Sequence, residues 1–225
     1  MDNQLELTED GSHTVRSGQF GIQYHSRHGA VQESEHVFIA AGLASYLRQH
    51  EVEEVNILEL GLGTGLNVLL SMREAAQQTN IQFNYRAVEL YPLEKEIIQG
   101  LNYTQALGLP DHWLAEIHSC PWEKETALSP NFNLHKQAGD WLKLAGAGRP
   151  ADVVFYDAFA PNAQEELWSE KAFALLATAM QTNGIWVSYC AKGAVKRALR
   201  ANGFEVHALP GPPGKREMTQ AFLSR

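Results

Sequence analysis

A doubly wound α/β domain on a mostly parallel sheet is the fold class that this 225-residue chain predicts. Three observations carry the prediction. Short apolar runs alternate with stretches of helical periodicity. The first strong run, Val55-Asn-Ile-Leu-Glu-Leu60, ends in Gly61-Leu-Gly-Thr-Gly65 and leads into a helical stretch, the strand–turn–helix unit of nucleotide-binding sheets. The composition, 44% hydrophobic and 20% charged, suits an ordinary globular core and excludes disordered or collagen-like chains.

The elements follow in order. Residues 1–30 are polar and glycine-containing and read as an arm with short strands, 19–24 among them. Residues 34–49 carry apolar positions at helical spacing, with Ser34 as N-cap. Strand 55–60 is followed by helix 66–78, strand 83–90 by helix 92–107, and 132–137 is a weaker third strand. Strand 151–157 precedes helix 165–182, and strand 184–190 precedes helix 194–202, which Gly203 ends. Segments 204–209 and 218–223 pair as a terminal antiparallel hairpin around a Pro/Gly loop. One domain is the simplest count, with an arm and helix (1–50) packed on a core (51–225).

Two cysteines, Cys120 and Cys190, imply no disulfide framework. The N-terminus is acidic and lacks the basic start and apolar run of a signal peptide, so a cytoplasmic protein is expected, with no membrane partner. His25 and His28 have no completing ligands at metal spacing, and no metal is expected.

The glycine loop narrows the ligand. Its glycines run Gly61, Gly63, Gly65, and Leu66 occupies the position where a dinucleotide fingerprint needs a third glycine. That counts against a nicotinamide oxidoreductase. No Lys-Ser/Thr ending follows, so a phosphate-cradling P-loop is excluded too. Glu59 just before the loop repels phosphate and tolerates an ammonium or sulfonium. Glu89 ends the second strand, where a carboxylate accepts ribose hydroxyls. Asp140 follows the third strand, facing an adenine amino group, and Asp157 ends the fourth. Ligands in open α/β sheets sit beyond the carboxyl ends of the strands, so the four acids converge. S-adenosylmethionine, a sulfonium nucleoside, fits them. Each acid alone also reads as a loop or capping residue.

Several segments resemble the MnmC-like methyltransferases: Glu59-Leu-Gly-Leu-Gly-Thr-Gly-Leu-Asn67, Asp157-Ala-Phe-Ala-Pro161, Glu166-Leu-Trp168, Tyr189-Cys-Ala-Lys-Gly193, Pro210-Gly-Pro-Pro-Gly-Lys-Arg-Glu-Met218 and Glu33-Ser-Glu-His-Val-Phe38. The glycine loop is shared by many methyltransferases, and the Asp-x-Phe-x-Pro and Lys-Arg-Glu-Met segments are more specific. The resemblance implies a Rossmann-like S-adenosylmethionine-dependent methyltransferase fold. It also implies methylation of the amine of 5-aminomethyluridine, with or without 2-thiolation, at the wobble position of tRNA. On that reading Glu59, Gly61, Gly63, Gly65, Asn67, Glu89, Asp140 and Asp157 hold the cofactor. Asp157 also acts in catalysis by holding the amine. Phe159, Pro161, Lys192, Lys215 and Arg216 meet the substrate, a tRNA anticodon loop. Bifunctional members carry an FAD-dependent domain in addition, and these residues show no FAD fingerprint. A stand-alone methyltransferase is therefore expected, with a separate FAD-dependent or other enzyme supplying the aminomethyl group.

The formal charge of −8 argues against a polyanion partner at first sight, but it is uneven. From Cys190 onward seven Lys/Arg stand against two Glu, which leaves −13 on residues 1–189. Lys196, Arg197 and Arg200 share a helix, and Lys215-Arg216 lies in a loop expected to be flexible and to meet tRNA phosphates. Phe159 is the better candidate for stacking on a base; Trp168 and Tyr189 are weaker, and Trp186 reads as core. Two other functions fit the same motifs. One is a small-amine methyltransferase or aminopropyltransferase. The other is a non-catalytic S-adenosylmethionine- or tRNA-binding protein.

Overall fold

The computed structural model describes residues 2–144 and 148–224; Arg225, counted above among the basic residues, lies outside them. Strands β1 (Gln4–Leu7) and β2 (His13–Arg16) form a small antiparallel pair. The main sheet holds eight strands: β3 (Glu54–Leu60), β4 (Gln82–Glu89), β5 (Glu125–Ser129), β6 (Phe132–Ala138), β7 (Ala151–Tyr156), β8 (Met180–Ser188), β9 (Phe204–Pro210) and β10 (Glu217–Leu223). Their spatial order is β5-β6-β4-β3-β7-β8-β10-β9. Strands β6, β4, β3, β7 and β8 are mutually parallel, and β10 runs antiparallel to both β8 and β9. This is the expected mixed α/β sheet ending in a hairpin.

The sheet is buried on both faces, which is why its central strands read as nearly continuous apolar runs. Ile57, Phe83, Tyr85, Leu134, Val153 and Phe155 join one core with residues from the helices of 30–49 and 66–77. Leu58, Leu60, Val154, Tyr156 and Trp186 join the other with Phe173, Leu176, Val195 and Leu199 from helices Glu170–Thr178 and Gly193–Ala201. Chain order reverses at β3, between β4 and β7, so the crevice beyond the carboxyl end of β3 is the switch point.

Four local expectations are corrected. Helical structure begins at Ala30, and Ser34 is buried inside the helix instead of capping it. The capping acid is Asp10, from the β1–β2 turn, which accepts from the Gln32 N–H at 3.0 Å. A cap twenty residues away is invisible to local periodicity. Residues 35–43 of this helical run are π-helical. Residues 19–24 turn around Gly21 (φ +69°), and only Gln23 pairs, with Arg16. The 92–107 helix breaks into Lys95–Gln99 and Tyr103–Leu107 around Gly100. There Asn102 accepts from the His13 N–H at 2.8 Å and donates to Gly11 O at 2.9 Å, docking the β1–β2 hairpin. Finally, 165–182 is not one helix. A 3₁₀ turn (Glu165–Trp168) precedes helix Glu170–Thr178, which Ser169 caps, and residues 180–182 already belong to β8.

Candidate functional site

A cavity of about 360 Å³ opens at the switch point. The glycine loop forms its floor, and each of its three glycines has a separate steric reason. All three have positive φ. A Cβ on Gly61 would lie 2.7 Å from the Asp157 carbonyl oxygen, one on Gly63 2.9 Å from the Tyr24 ring, and one on Gly65 3.0 Å from His118 Nε2. The loop is thus packed against β7, the N-terminal arm and the helix His112–Ser119 at once. Thr64 is held from two sides: its hydroxyl is hydrogen-bonded to His25 Nε2 at 2.9 Å, and its carbonyl to His118 Nε2 at 2.9 Å. Burial holds both imidazoles neutral, with pKa values lowered to about 4.

Glu59, Asn67 and Asp157 form a connected unit. Asn67 Nδ2 donates to Glu59 Oε1 at 2.8 Å and to Asp157 Oδ2 at 3.0 Å. Desolvation, reinforced by the Asp157 charge, pushes the Glu59 carboxyl well above the usual carboxylate range. Asp157 is pushed up to about 8, by desolvation first and then by Glu33. Glu59 Oε2 and Asn67 Oδ1 are buried without a hydrogen-bond partner among the described residues. Asn67 lines the cavity while Glu59, expected to meet the cofactor, lies fully buried behind it, so the orphaned Asn67 acceptor is the one suited to a ligand that brings cationic donors.

Glu89 is tied to the loop, accepting from the Gly63 N–H at 2.9 Å and the Tyr91 N–H at 2.7 Å. Each oxygen keeps a lone pair for vicinal hydroxyls. Asp140 lines the cavity, but its Oδ1 accepts from the Leu142 N–H at 2.9 Å, so it also caps the short helix Trp141–Leu144. Phe159 lines the wall against Phe20 and Tyr24, at ring distances of 4.7 and 4.9 Å. Trp168 is buried, and its indole N–H donates to Phe159 O at 2.8 Å, so it braces the Phe159 loop from below. Tyr189 lines the cavity and donates to Ala158 O at 2.8 Å, while Trp186 is fully buried core.

Of the remaining sequence-derived residues, Pro161, Lys192 and Arg216 are not cavity-lining, and Lys192 and Arg216 face solvent. Lys215 is not free for phosphates as expected. It turns inward to pair with Glu33 at 2.5 Å and covers the Tyr189 ring at 3.9 Å from its centroid. Its loop is latched: His36 Nε2 donates to Pro210 O at 2.8 Å, and Gly214 sits so close to the His28 ring that no Cβ fits. Lys196 is likewise taken up, by Glu217 at 3.0 Å.

Sequence reasoning misses Glu33 as a site residue, along with Tyr24, His25 and His118. In the sequence Glu33 is only the start of a familiar segment. Its burial and its cavity position depend on a helix start that local rules misplace.

A glycine cradle and strand-end carboxylates at the switch point of a doubly wound sheet define a cofactor-binding α/β protein of Rossmann type. Comparison with known proteins narrows the class. The family model for S-adenosyl-L-methionine-dependent methyltransferases matches residues 109–224. The chain belongs to that family, and its cofactor is S-adenosylmethionine. It is 31% identical over 216 residues to the tRNA 5-methylaminomethyl-2-thiouridine biosynthesis bifunctional protein MnmC of Methylobacillus flagellatus, covering 90% of this chain and 32% of that protein. It is 32% identical over 235 residues to the like-named protein of Aromatoleum aromaticum, covering 96% and 34%. The chain spans about a third of the length of these curated relatives. The crystal structure of MnmC2 from Aquifex aeolicus superposes with a TM-score of 0.82 at 25% identity, over 99% of this chain and 70% of that one. Among the described residues no helix is long and apolar enough to cross a membrane.

Proposed function

We propose that this chain transfers a methyl group to the amine of 5-aminomethyluridine, with or without a 2-thio group, at the tRNA wobble position. The observation that carries the reading is the acid-lined cavity: Glu33, Glu89 and Asp157 line it together with the aromatic wall of Phe159, Tyr24 and Tyr189. Such a site suits a planar base bearing an amine. The names of the curated relatives supply the nucleoside.

When bound, the sulfonium cofactor supplies an electrophilic methyl group. The residues do the rest. Asn67, braced from behind by Glu59, and the glycine loop would hold the cofactor's cationic end, and Glu89 would accept its ribose hydroxyls. Asp140, already committed to a helix cap, contributes at the adenine edge. Asp157 pairs with the incoming ammonium and takes its proton, since only the neutral amine is a nucleophile. Phe159 and its aromatic neighbours fix the base, and positioning of this kind supplies several kcal/mol of the barrier reduction. Within the basic C-terminal segment, Lys192, Arg197, Arg200 and Arg216 are exposed and without an ion-pair partner among the described residues, so there they are the groups left for tRNA phosphates.

The test is mass spectrometry of nucleosides after incubating the protein and cofactor with tRNA carrying 5-aminomethyluridine. Gain of one methyl on that nucleoside supports the reading. Methylation of small diamines, with the tRNA untouched, replaces it with the small-amine alternative.

A further inference from the structure

The latched loop between β9 and β10 brings a cation into an otherwise acidic cavity. Lys215 is its only cavity-lining Lys or Arg among the described residues. Its partner Glu33 is fixed by a second bond, accepting from the Ser26 N–H at 2.7 Å, and its side chain is 6% exposed. Tyr189, beneath the ammonium, is anchored to Ala158 O, one residue after Asp157. Three segments distant in sequence thus hold one ammonium on an aromatic face, beside the carboxylate that would receive the acceptor amine. A surface lysine recruited only for phosphate would need none of this.

We propose that Lys215 is the positioning residue of the methyl-acceptor subsite, its ammonium fixed by Glu33 over the Tyr189 ring so that an amine entering beside Asp157 is held as the neutral base. The inference rests on the amine-methylation reading. A primary ammonium brought next to a fixed cation gives up its proton more readily. In the step, the N–H proton passes to the Asp157 carboxylate, the amine lone pair forms the N–C bond, and the C–S bond breaks with its electron pair going to sulfur. The product leaves as a secondary ammonium, and Asp157 returns its proton to solvent.

The groups around Asp157 are Glu59 on β3, Glu89 on β4, Glu33 on the 30–34 helix, Tyr189 after β8, Lys215, and the phenols of Tyr85 and Tyr103. Within this set Lys215 alone is cationic. It acts on Asp157 in the same direction as on the substrate, favouring the carboxylate.

The experiment compares Lys215→Met and Lys215→Arg with the parent protein in two readouts. The first is the Asp157 carboxyl titration in the free protein, followed by infrared difference spectroscopy against Asp157→Asn. The second is the pH profile of kcat/KM on tRNA carrying 5-aminomethyluridine. K215M is expected to raise the Asp157 midpoint by about one pH unit and to move the acidic limb of the profile up with it, a roughly tenfold loss at fixed pH below that limb. K215R is expected to restore both. An unmoved Asp157 titration, or a loss of rate in K215M that is uniform across pH, overturns the role. If the parent protein leaves that tRNA unmethylated, the amine-methylation reading fails, while the titration still decides whether Lys215 sets the charge of Asp157.

Discussion

Replacing Gly61 by Ala probes the junction on which the site depends. Gly61 has φ +93°, and its missing Cβ would lie 2.7 Å from the Asp157 carbonyl oxygen and 3.2 Å from the carbonyl carbon. Both neighbours are pinned. The Gly61 N–H donates to Val88 O at 2.9 Å, and the Asp157 N–H donates to Leu60 O at 3.0 Å. Relief therefore breaks a backbone bond or shifts Asp157. A left-handed backbone costs about 1–2 kcal/mol for an L side chain, and overpacking adds about 1–3 kcal/mol. Together they imply a loss of roughly 2–5 kcal/mol in urea unfolding, with weakened S-adenosylmethionine binding by calorimetry in the fraction that still folds. Gly193 is the control: its φ is not in the left-handed region, and its Cβ would meet only the movable Arg197 guanidinium, at 3.3 Å. Gly193→Ala should be neutral or stabilising by up to about 1 kcal/mol. A loss below about 1 kcal/mol in G61A, with unchanged cofactor affinity, would refute the argument that this glycine is required by the β7 approach.

Other outcomes follow from the same geometry. With no ammonium beside it, Asp157 keeps its proton to about pH 8 when folded, whereas the unfolded chain releases it near the ordinary value of 3.8, so the stability of the ligand-free fold falls as pH rises between them. Asp157→Asn should therefore be more stable than the parent at pH 9, by on the order of 2 kcal/mol or more, and similar to it near pH 4, read by urea midpoints. His25 behaves oppositely: the unfolded imidazole takes a proton near 6.5 and the folded one only near 4, so acid destabilises the fold across that window. His25→Gln should flatten the fall, which is worth up to about 3 kcal/mol at pH 4. Charge reversal at Arg197 and Arg200 should weaken tRNA binding and lower its salt slope by about one for each phosphate no longer neutralised, measured by filter binding across salt.

The sheet is legible because its central strands β3 and β7 are buried almost throughout, and the switch-point acids because strand ends are easy to find. Glu33, and the inward turn of Lys215, which sequence reasoning places against the substrate, escape it for one reason. Each is assigned by a partner more than 180 positions away, and a Pro/Gly loop looks flexible until His28 and His36 are seen to hold it. The Ser34 cap fails similarly, since Asp10 supplies the acceptor from another element. Local rules also overrun Met180, whose apolar helical spacing hides its pairing with Ala151. The overall acidity does not by itself count against the proposed nucleic-acid partner, because charge is a property of surfaces. The four exposed C-terminal cations remain unpaired even though Lys196 and Lys215 are taken into ion pairs with Glu217 and Glu33.

The requirement for an amine acceptor is tested most directly by offering methyl-labelled S-adenosylmethionine with two tRNAs that differ only at the wobble base. One carries 5-aminomethyluridine and the other unmodified uridine. Label in the first alone, abolished in Asp157→Asn, is the predicted result. Equal labelling of both tRNAs, or undiminished labelling by the Asp157 variant, would contradict the account.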